Sequence, residues 1–379
     1  VGAMNKRKRL FFLIPTLETG GSQKVLSILL KNISREKFDT TLCLMKGTGL
    51  FYDTIPEHVK KILLQTSRVR YAPLKVFKCI KSEAPDLVFV FDVNHLNLMV
   101  GMLAYFLPTN IRYVTRQAVI LSSFIRRHSL KDRLRQQLYK LTFKRFDKIV
   151  CQSRYMRDDL ITNFSVDPQA ISVINNPLEV DKLLLVSHTT QDLLKKDRFN
   201  VVAVGRIVYV KGFDLLLEAL SLVKTPNVHL TVLGEKTPED PGFYEKVIHL
   251  VSKYHLHDRV TFLGFTLNPH QYVRDGDLLV IASRSEPFSN VAIESHAIGT
   301  PVLAFNSPGG MAEIINEGFN GWLVENGDVA QLAKAIDQIS TLKVDRVAIS
   351  ESARTKYDVG KIIPRYEEVI EETLRKSDS

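Results

Sequence analysis

Short, mainly apolar runs that stop at a glycine recur along this chain, with segments of helical spacing between them. Residues 199–204 precede Gly205, residues 229–233 precede Gly234, and residues 260–263 precede Gly264. Runs this short and mainly apolar read as strands. Residues 213–222 and 243–254 between them carry apolar side chains at helical spacing. Parallel neighbours in a sheet must be joined by a crossover, so alternating strands and helices demand a parallel sheet. The same alternation fills the first half. Strands are expected at 9–14, 41–45, 87–91, 111–115, 148–152 and 171–174, and helices at 74–81, 95–106, 130–146 and 155–164. Asn175-Asn176-Pro177 and the polar stretch 187–198 separate the halves. The expected architecture is α/β, two Rossmann-like domains in tandem facing across a cleft.

A length of 379 residues suits two domains of ordinary size. The three cysteines, Cys43, Cys79 and Cys151, are far apart and lack metal-ligand or redox spacing, which suits buried thiols in a reducing cytoplasm. The longest apolar stretch, residues 98–107, is ten residues long, about half of a membrane span. Val1-Gly2-Ala3 before Met4 reads as a cloning remnant, and no signal peptide is visible. Charge is uneven. Residues 1–180 hold 29 Lys/Arg against 14 Asp/Glu, a balance of +15, while residues 181–379 hold 22 against 27, a balance of −5. A basic first half points to an anionic partner.

Residues 283–294 read Ser-Arg-Ser-Glu-Pro-Phe-Ser-Asn-Val-Ala-Ile-Glu after the apolar run 278–282. They form a loop and then a helix, with Ser289 or Asn290 as N-cap and Gly299 as C-cap. Glu286 falls in the loop and Glu294 about a turn into the helix. The first N–H groups of such a helix have no internal partner and favour phosphate. Carboxylates accept paired hydrogen bonds from vicinal diols. Loop, helix end and two carboxylates together suit a nucleotide-sugar. Gly205-Arg206-Ile-Val-Tyr-Val-Lys211-Gly212 also follows a strand. Two fixed cations there suit a diphosphate that gains charge as it leaves. Gly20-Gly21, ahead of a helix that Ser22 can cap, lets a ligand approach the backbone. It is neither a dinucleotide fingerprint nor a P-loop. Asp275-Gly276-Asp277 spells a possible metal motif, but its place between a helix and a strand suits a turn, so no metal and no cofactor are expected.

These residues carry a resemblance. The Gly205-Arg206…Lys211-Gly212 loop, the Glu286-x7-Glu294 pair, the following Gly299-x-Pro301-Val302 and the early Gly20-Gly21 resemble glycosyltransferase family 4, retaining enzymes of GT-B fold. The resemblance covers nearly the whole chain. It implies residues 1–180 as acceptor-binding domain, 190–358 as nucleotide-sugar-binding domain, and 359–379 as a helix crossing back to the first. It implies that Arg206 and Lys211 meet the diphosphate, Glu294 the ribose and Glu286 the transferred sugar. Backbone groups at Phe288, Ser289 and Asn290 would hold phosphate or sugar, Gly20, Gly21 and Gly234 would line the donor, and Phe265 would lie near the base. Where many members place a histidine near the reacting sugar, this chain has Arg116.

The cluster from Arg126 to Arg145 includes Arg126, Arg127, Arg133, Lys140 and Lys144. Leu130, Leu134, Leu138 and Leu141 form a stripe at helical spacing, and at about 100° per residue Arg133, Lys140 and Lys144 fall in one row beside it. Ser129 can cap this helix, and Phe124-Ile125 precedes it. Such a helix is expected on an anionic membrane surface or gripping a lipid-linked diphosphate, with Phe124-Ile125 dipping into the interface. The expected protein is a cytoplasmic transferase, peripheral on the inner face of the membrane. It would move a hexose from a UDP-sugar to a lipid-linked or lipopolysaccharide acceptor. A synthase with a soluble acceptor and a nucleotide-sugar epimerase on the same fold are the alternatives. Nucleic acid is not an expected partner, because no nucleic-acid motif is present.

Overall fold

The computed structural model describes residues 7–18, 20–66, 68–91, 96–125, 129–188, 192–238 and 240–375. The chain divides into two units, residues 1–177 with 359–379, and residues 178–358.

In the first unit β1 (Lys8–Ile14), α1 (Gly21–Asn32), β2 (Phe38–Leu44), β3 (Lys60–Leu63), α2 (Pro73–Glu83), β4 (Leu87–Phe91) and α3 (Leu96–Leu103) come first. Then follow β5 (Arg112–Arg116), α4 (Leu121–Phe124), α5 (Leu130–Phe143), β6 (Lys148–Cys151), α6 (Arg154–Phe164) and β7 (Ile171–Val173). All pairings are parallel, in the order β3-β2-β1-β4-β5-β6-β7. Side chains alternate across each strand, so the sheet is apolar on both faces. Phe11, Leu13, Val88 and Val90 pack under α2, α3, α5 and α6. Leu10, Phe12, Phe89 and Phe91 pack on the other face, where Val25 and Leu29 of α1 meet Ile362, Tyr366 and Ile370. Those last three belong to the C-terminal helix.

The second unit begins with α7 (Val180–Ser187), β8 (Phe199–Val204), α8 (Phe213–Leu222), β9 (Val228–Leu233), α9 (Pro241–Lys253), β10 (Val260–Gly264), α10 (Pro269–Asp275) and β11 (Leu278–Ile281). It continues with α11 (Asn290–Ile298), β12 (Val302–Asn306), α12 (Met311–Ile314), β13 (Gly321–Glu325), α13 (Val329–Ile339) and α14 (Arg346–Tyr357). Its parallel sheet runs β10-β9-β8-β11-β12-β13. One face packs on α8, α9 and α13, the other on α7, α11 and α14. The last helix, α15 (Val359–Arg375), returns to the first unit. The molecule therefore has two parallel-sheet Rossmann-like domains.

Among the differences from expectation, three have a plain physical reason. β3 is a half-exposed edge strand, Lys-Lys-Ile-Leu, and lysines are usual on an edge that must not recruit another strand. α14 buries only Ile349, Ala353 and Tyr357, a single row every four residues, too narrow a stripe to stand out. α1 begins at Gly21 with Gly20 at the N-cap, so Ser22 lies inside the first turn rather than capping it. Cys43 and Cys79, distant in sequence, meet in the core. A hydrogen bond between the two thiols raises Cys43 and lowers Cys79. The expected start of the 95–106 helix and the remnant at residues 1–3 fall outside the described residues.

Ile370 is fully buried against the first sheet. Ile370→Ala is expected to cost about 2–5 kcal/mol, because a buried aliphatic truncated to alanine leaves a cavity. Urea unfolding of purified protein measures it, and a midpoint unchanged from the parent would show that α15 adds nothing to the core.

Candidate functional site

In the second sheet the chain order reverses between β8 and β11. Connections leave these two neighbours in opposite directions, so their C-terminal loops part and leave a crevice, the usual ligand position in an open α/β sheet. Lys211 follows β8 and Glu286 follows β11. Lys211 Nζ donates to Glu286 Oε2 at 2.6 Å, and Ser283 Oγ donates to the same oxygen at 3.2 Å. Glu286 is 7% exposed. Among the described residues Glu286 Oε1 receives no protein hydrogen bond, and Lys211 uses one of its three N–H groups. The pair is thus held on one side and available on the other. A cavity with room for about one water lies beside it, lined by Lys211, Ser283, Glu286 and Ser289.

The backbone around Glu286 is fixed from β12. Glu286 N–H donates to Pro308 O, and Gly310 N–H donates to Glu286 O, both at 3.0 Å. Gly309 between them has φ +136°, and a Cβ there would stand 1.8 Å from Glu286 O. Only glycine allows that approach. Downstream, Ser289 is the N-cap of α11, its Oγ accepting from Ala292 N–H at 3.3 Å. Asn290 is the first helical residue. The Phe288 ring is buried and meets Tyr357 edge to face at 6.0 Å, so this residue offers a ligand only its backbone.

Glu294, 8% exposed, lies on α11, and its Oε2 is 3.1 Å from His270 Nε2 of α10. His270 was not legible in the sequence, because nothing in its spacing from Glu294 announces a contact between helices. Arg206 is exposed at the end of β8. Gly234 lies so close to the end of β8 that a Cβ there would stand 1.9 Å from Gly205 O. The neighbouring backbone alone therefore requires a glycine at 234. Phe265 is 50% exposed just beyond β10. Asp275 accepts from Leu193 N–H and pairs with Arg274, and Asp277 accepts from Asn200 N–H. Both serve local structure.

In the first unit, Gly20 and Gly21 open α1 and are exposed. Arg116, the last residue of β5, is only 1% exposed. Its guanidinium donates to Tyr366 Oη at 3.0 Å, Ser22 Oγ at 3.4 Å and Asn176 Oδ1, and lies over Phe91. Arg116, expected on the acceptor side near the reacting sugar, is enclosed here and ties β5 to α1 and α15. α5 forms as a helix and leaves most of its leucine stripe exposed. Its core face is Tyr139, Thr142 and Phe143, while Leu130, Leu134 and Leu141 are 84%, 62% and 43% exposed. Arg133 and Lys144 are exposed and Lys140 is half-buried. Ser129 caps this helix as expected. Phe124 is exposed, but Ile125 is buried in the core, which removes it from any surface role. Tyr105 and Phe106 beyond α3 adjoin α5, Tyr105 Oη donating to Leu141 O, and extend the exposed apolar surface. Arg126 and Arg127 lie outside the described residues. Among the described residues no helix is long and apolar enough to cross a membrane.

Comparison with known proteins assigns the chain. Residues 19–182 match the family described as Glycosyltransferase Family 4, and residues 188–356 match Glycosyl transferases group 1. The chain belongs to glycosyltransferase family 4. A relative from Campylobacter jejuni, N-acetylgalactosamine-N,N'-diacetylbacillosaminyl-diphospho-undecaprenol 4-alpha-N-acetylgalactosaminyltransferase, is 27% identical over 84% of this chain and 86% of its own. The amylovoran biosynthesis glycosyltransferase AmsD of Erwinia amylovora is 22% identical over 89% of each chain. The crystal structure of Anabaena Alr3699/HepE in complex with UDP-glucose superimposes with a TM-score of 0.80 at 21% identity, covering 97% of this chain and all of that one. This last likeness establishes the GT-B fold. Family 4 membership makes the protein a glycosyltransferase.

His296, on the same helix as Glu294, is 1% exposed, with Nδ1 facing Asn320 Nδ2. Burial holds its imidazole down at about 4. The unfolded chain binds that proton near pH 6.5 and the folded chain does not. Stability is therefore full above about pH 6.5 and falls as pH drops toward about 4, by up to about 1.4 kcal/mol per unit. Urea unfolding between pH 7.5 and 4.5 is expected to show this loss, and His296→Gln to reduce its slope. An unchanged slope in the variant would assign the loss to other groups.

Proposed function

We propose that this glycosyltransferase moves a hexose, with retention, from a UDP-sugar to a lipid-linked saccharide at an anionic membrane surface. The observation that carries the reading is the Lys211–Glu286 pair at the reversal point of the second sheet. Its unused N–H groups suit a diphosphate, and its unused carboxylate oxygen suits a sugar hydroxyl. Arg206 adds a second cation at the end of β8. The N-terminus of α11, capped by Ser289 and opened by Asn290, supplies backbone dipoles to phosphate. Glu294 accepts from the ribose diol, and the exposed Phe265 offers a face to the base. Gly20 and Gly21 leave backbone accessible at the start of α1.

On this reading the anomeric carbon–oxygen bond breaks and the diphosphate leaves with the electron pair. Lys211 and Arg206 stabilise that growing charge, so the reading assigns no role to a metal. The acceptor hydroxyl attacks the face the diphosphate vacates, and its proton passes to the departing phosphate oxygen. Glu286 orients the sugar. It is not assigned a covalent bond.

The acceptor side of the proposal rests on α5. Leu130, Leu134 and Leu141 stand in solvent beside a basic row, with Phe106 and Phe124 also exposed. Leucine side chains can enter the acyl boundary while each lysine or arginine near an anionic surface adds about 1 kcal/mol. The Campylobacter relative, named for a diphospho-undecaprenol acceptor, supports the same choice. The site then works at the cytoplasmic face.

Thermal shift against UDP-, GDP- and ADP-sugars with EDTA present tests the donor. A rise with UDP-sugars alone is expected, and a rise that needs added magnesium would overturn the metal-free reading. Lys211→Ala and Glu286→Ala are each expected to lower kcat about 10²–10³-fold with unfolding midpoints preserved. Near-normal turnover in either would remove that residue from the site. Flotation with phosphatidylglycerol vesicles tests the surface. The parent is expected to float and the Leu130→Ser, Leu134→Ser, Leu141→Ser triple variant to remain below, whereas a parent that stays in solution would favour a soluble acceptor.

A further inference from the structure

Lys211 and Glu286 stand on separate loops, and each is two residues from one end of a second contact. Arg284, on the Glu286 loop, donates its backbone N–H to Val210 O at 2.8 Å. Its Nη1 donates to Tyr209 O at 2.6 Å, and its guanidinium lies over the Tyr209 ring at 3.9 Å. The same guanidinium forms a paired bridge to Asp214, Nη1 to Oδ1 at 2.9 Å and Nη2 to Oδ2 at 3.0 Å. Asp214 opens α8, directly after the Lys211 loop, and is 6% exposed. Lys246 of α9 also donates to its Oδ2 at 2.9 Å. Tyr209 is fixed in turn. Its N–H donates to Asp240, and its ring meets Phe243 edge to face at 6.0 Å.

We infer that Arg284 and Asp214 form a clamp that holds the Lys211 loop against the Glu286 loop and so sets the distance between ammonium and carboxylate. This rests on Lys211 and Glu286 being the donor-site pair proposed above. A flat guanidinium bridged at both nitrogens and stacked on a ring fixes position and orientation together, which a single ammonium cannot. The clamp also explains an arginine in a loop otherwise given to ligand. Arg284 takes no part in the chemistry and acts through the placement of its neighbours. Burial alone would raise the Asp214 carboxyl, but the bonds from Arg284 and Lys246 carry it below its ordinary value, so it stays charged wherever the enzyme is folded at neutral pH. Misplacement of catalytic groups by about 1 Å can cost about 10²-fold in rate.

The test is a double-mutant cycle in full-length protein. Arg284→Ala is expected to lower kcat by roughly 10²-fold, with the KM for acceptor unchanged. Arg284→Lys keeps the charge but loses the paired bridge, and is expected to rescue only part of the rate. It also serves if the alanine variant fails to fold. In a Lys211→Ala background either change is expected to add little, because the group being positioned is gone. Losses that multiply in full would overturn the clamp. So would full activity in both Arg284 variants. Lys211→Ala with parental kcat would instead sink the donor-site reading and this inference with it. A clamp failure is recognised by a slow Lys211→Ala enzyme that Arg284→Ala slows again in full proportion.

Discussion

An ammonium and a carboxylate 2.6 Å apart, the carboxylate almost wholly buried, are the constraint on which the second unit turns. Removing two charges from water costs several kcal/mol each, and their attraction offsets this only when geometry is good and remaining bonds are met. Each nearby feature contributes to that geometry. The sheet reverses its order between β8 and β11 and so brings two loops side by side. Pro308 and Gly310 grip the Glu286 backbone, Ser283 steadies its carboxylate, and Arg284 bridges the two loops. The result is a charged pair whose remaining hydrogen-bonding capacity faces a small cavity, where water or a polar ligand can meet it.

The first unit solves a different problem. Its sheet is apolar on both faces, and one face would stay open if only α1 covered it. α15 closes that face, and the link from Arg116 to Tyr366 aligns the helix with the end of β5. A guanidinium here acts as a bolt, surrounded by hydroxyl, amide and ring. Elsewhere in the unit, basic side chains do the opposite and stay in water along α5, beside leucines that have no core to enter. The two uses of arginine explain why a net positive half is not a uniform basic surface.

Most of the fold was legible because its signal is strong. Buried parallel strands such as Leu87–Phe91 and Leu278–Ile281 are unbroken apolar runs, and the helices between them carry wide stripes. What stayed hidden was weak for a physical reason. β3 is a charged edge and α14 a narrow stripe. The loops proposed for the donor could be singled out because glycine, arginine, lysine and glutamate stand there at fixed offsets. His270 beside Glu294, and Asp214 beneath Arg284, could not, since both contacts arise from helix packing that no local pattern encodes. Leucine spacing on α5 gave the right helix but could not say which face meets the core. Arg116 drew notice because it stands where related enzymes place a histidine, and its enclosure by Tyr366, Ser22 and Asn176 was not readable from that position.

The placement of α15 has a consequence for how the protein is made. Residues 178–358 separate β7 from the helix that covers its sheet. A ribosome adds about 5–20 residues per second, so roughly 10–35 seconds pass between the emergence of the first unit's strands and that of its closing helix. Through that interval Leu10, Phe12, Phe89 and Phe91 have only α1 to cover them on one side, while the inserted unit can finish folding. The nascent chain thus carries a partly open greasy groove until α15 leaves the exit tunnel, a surface open to premature association.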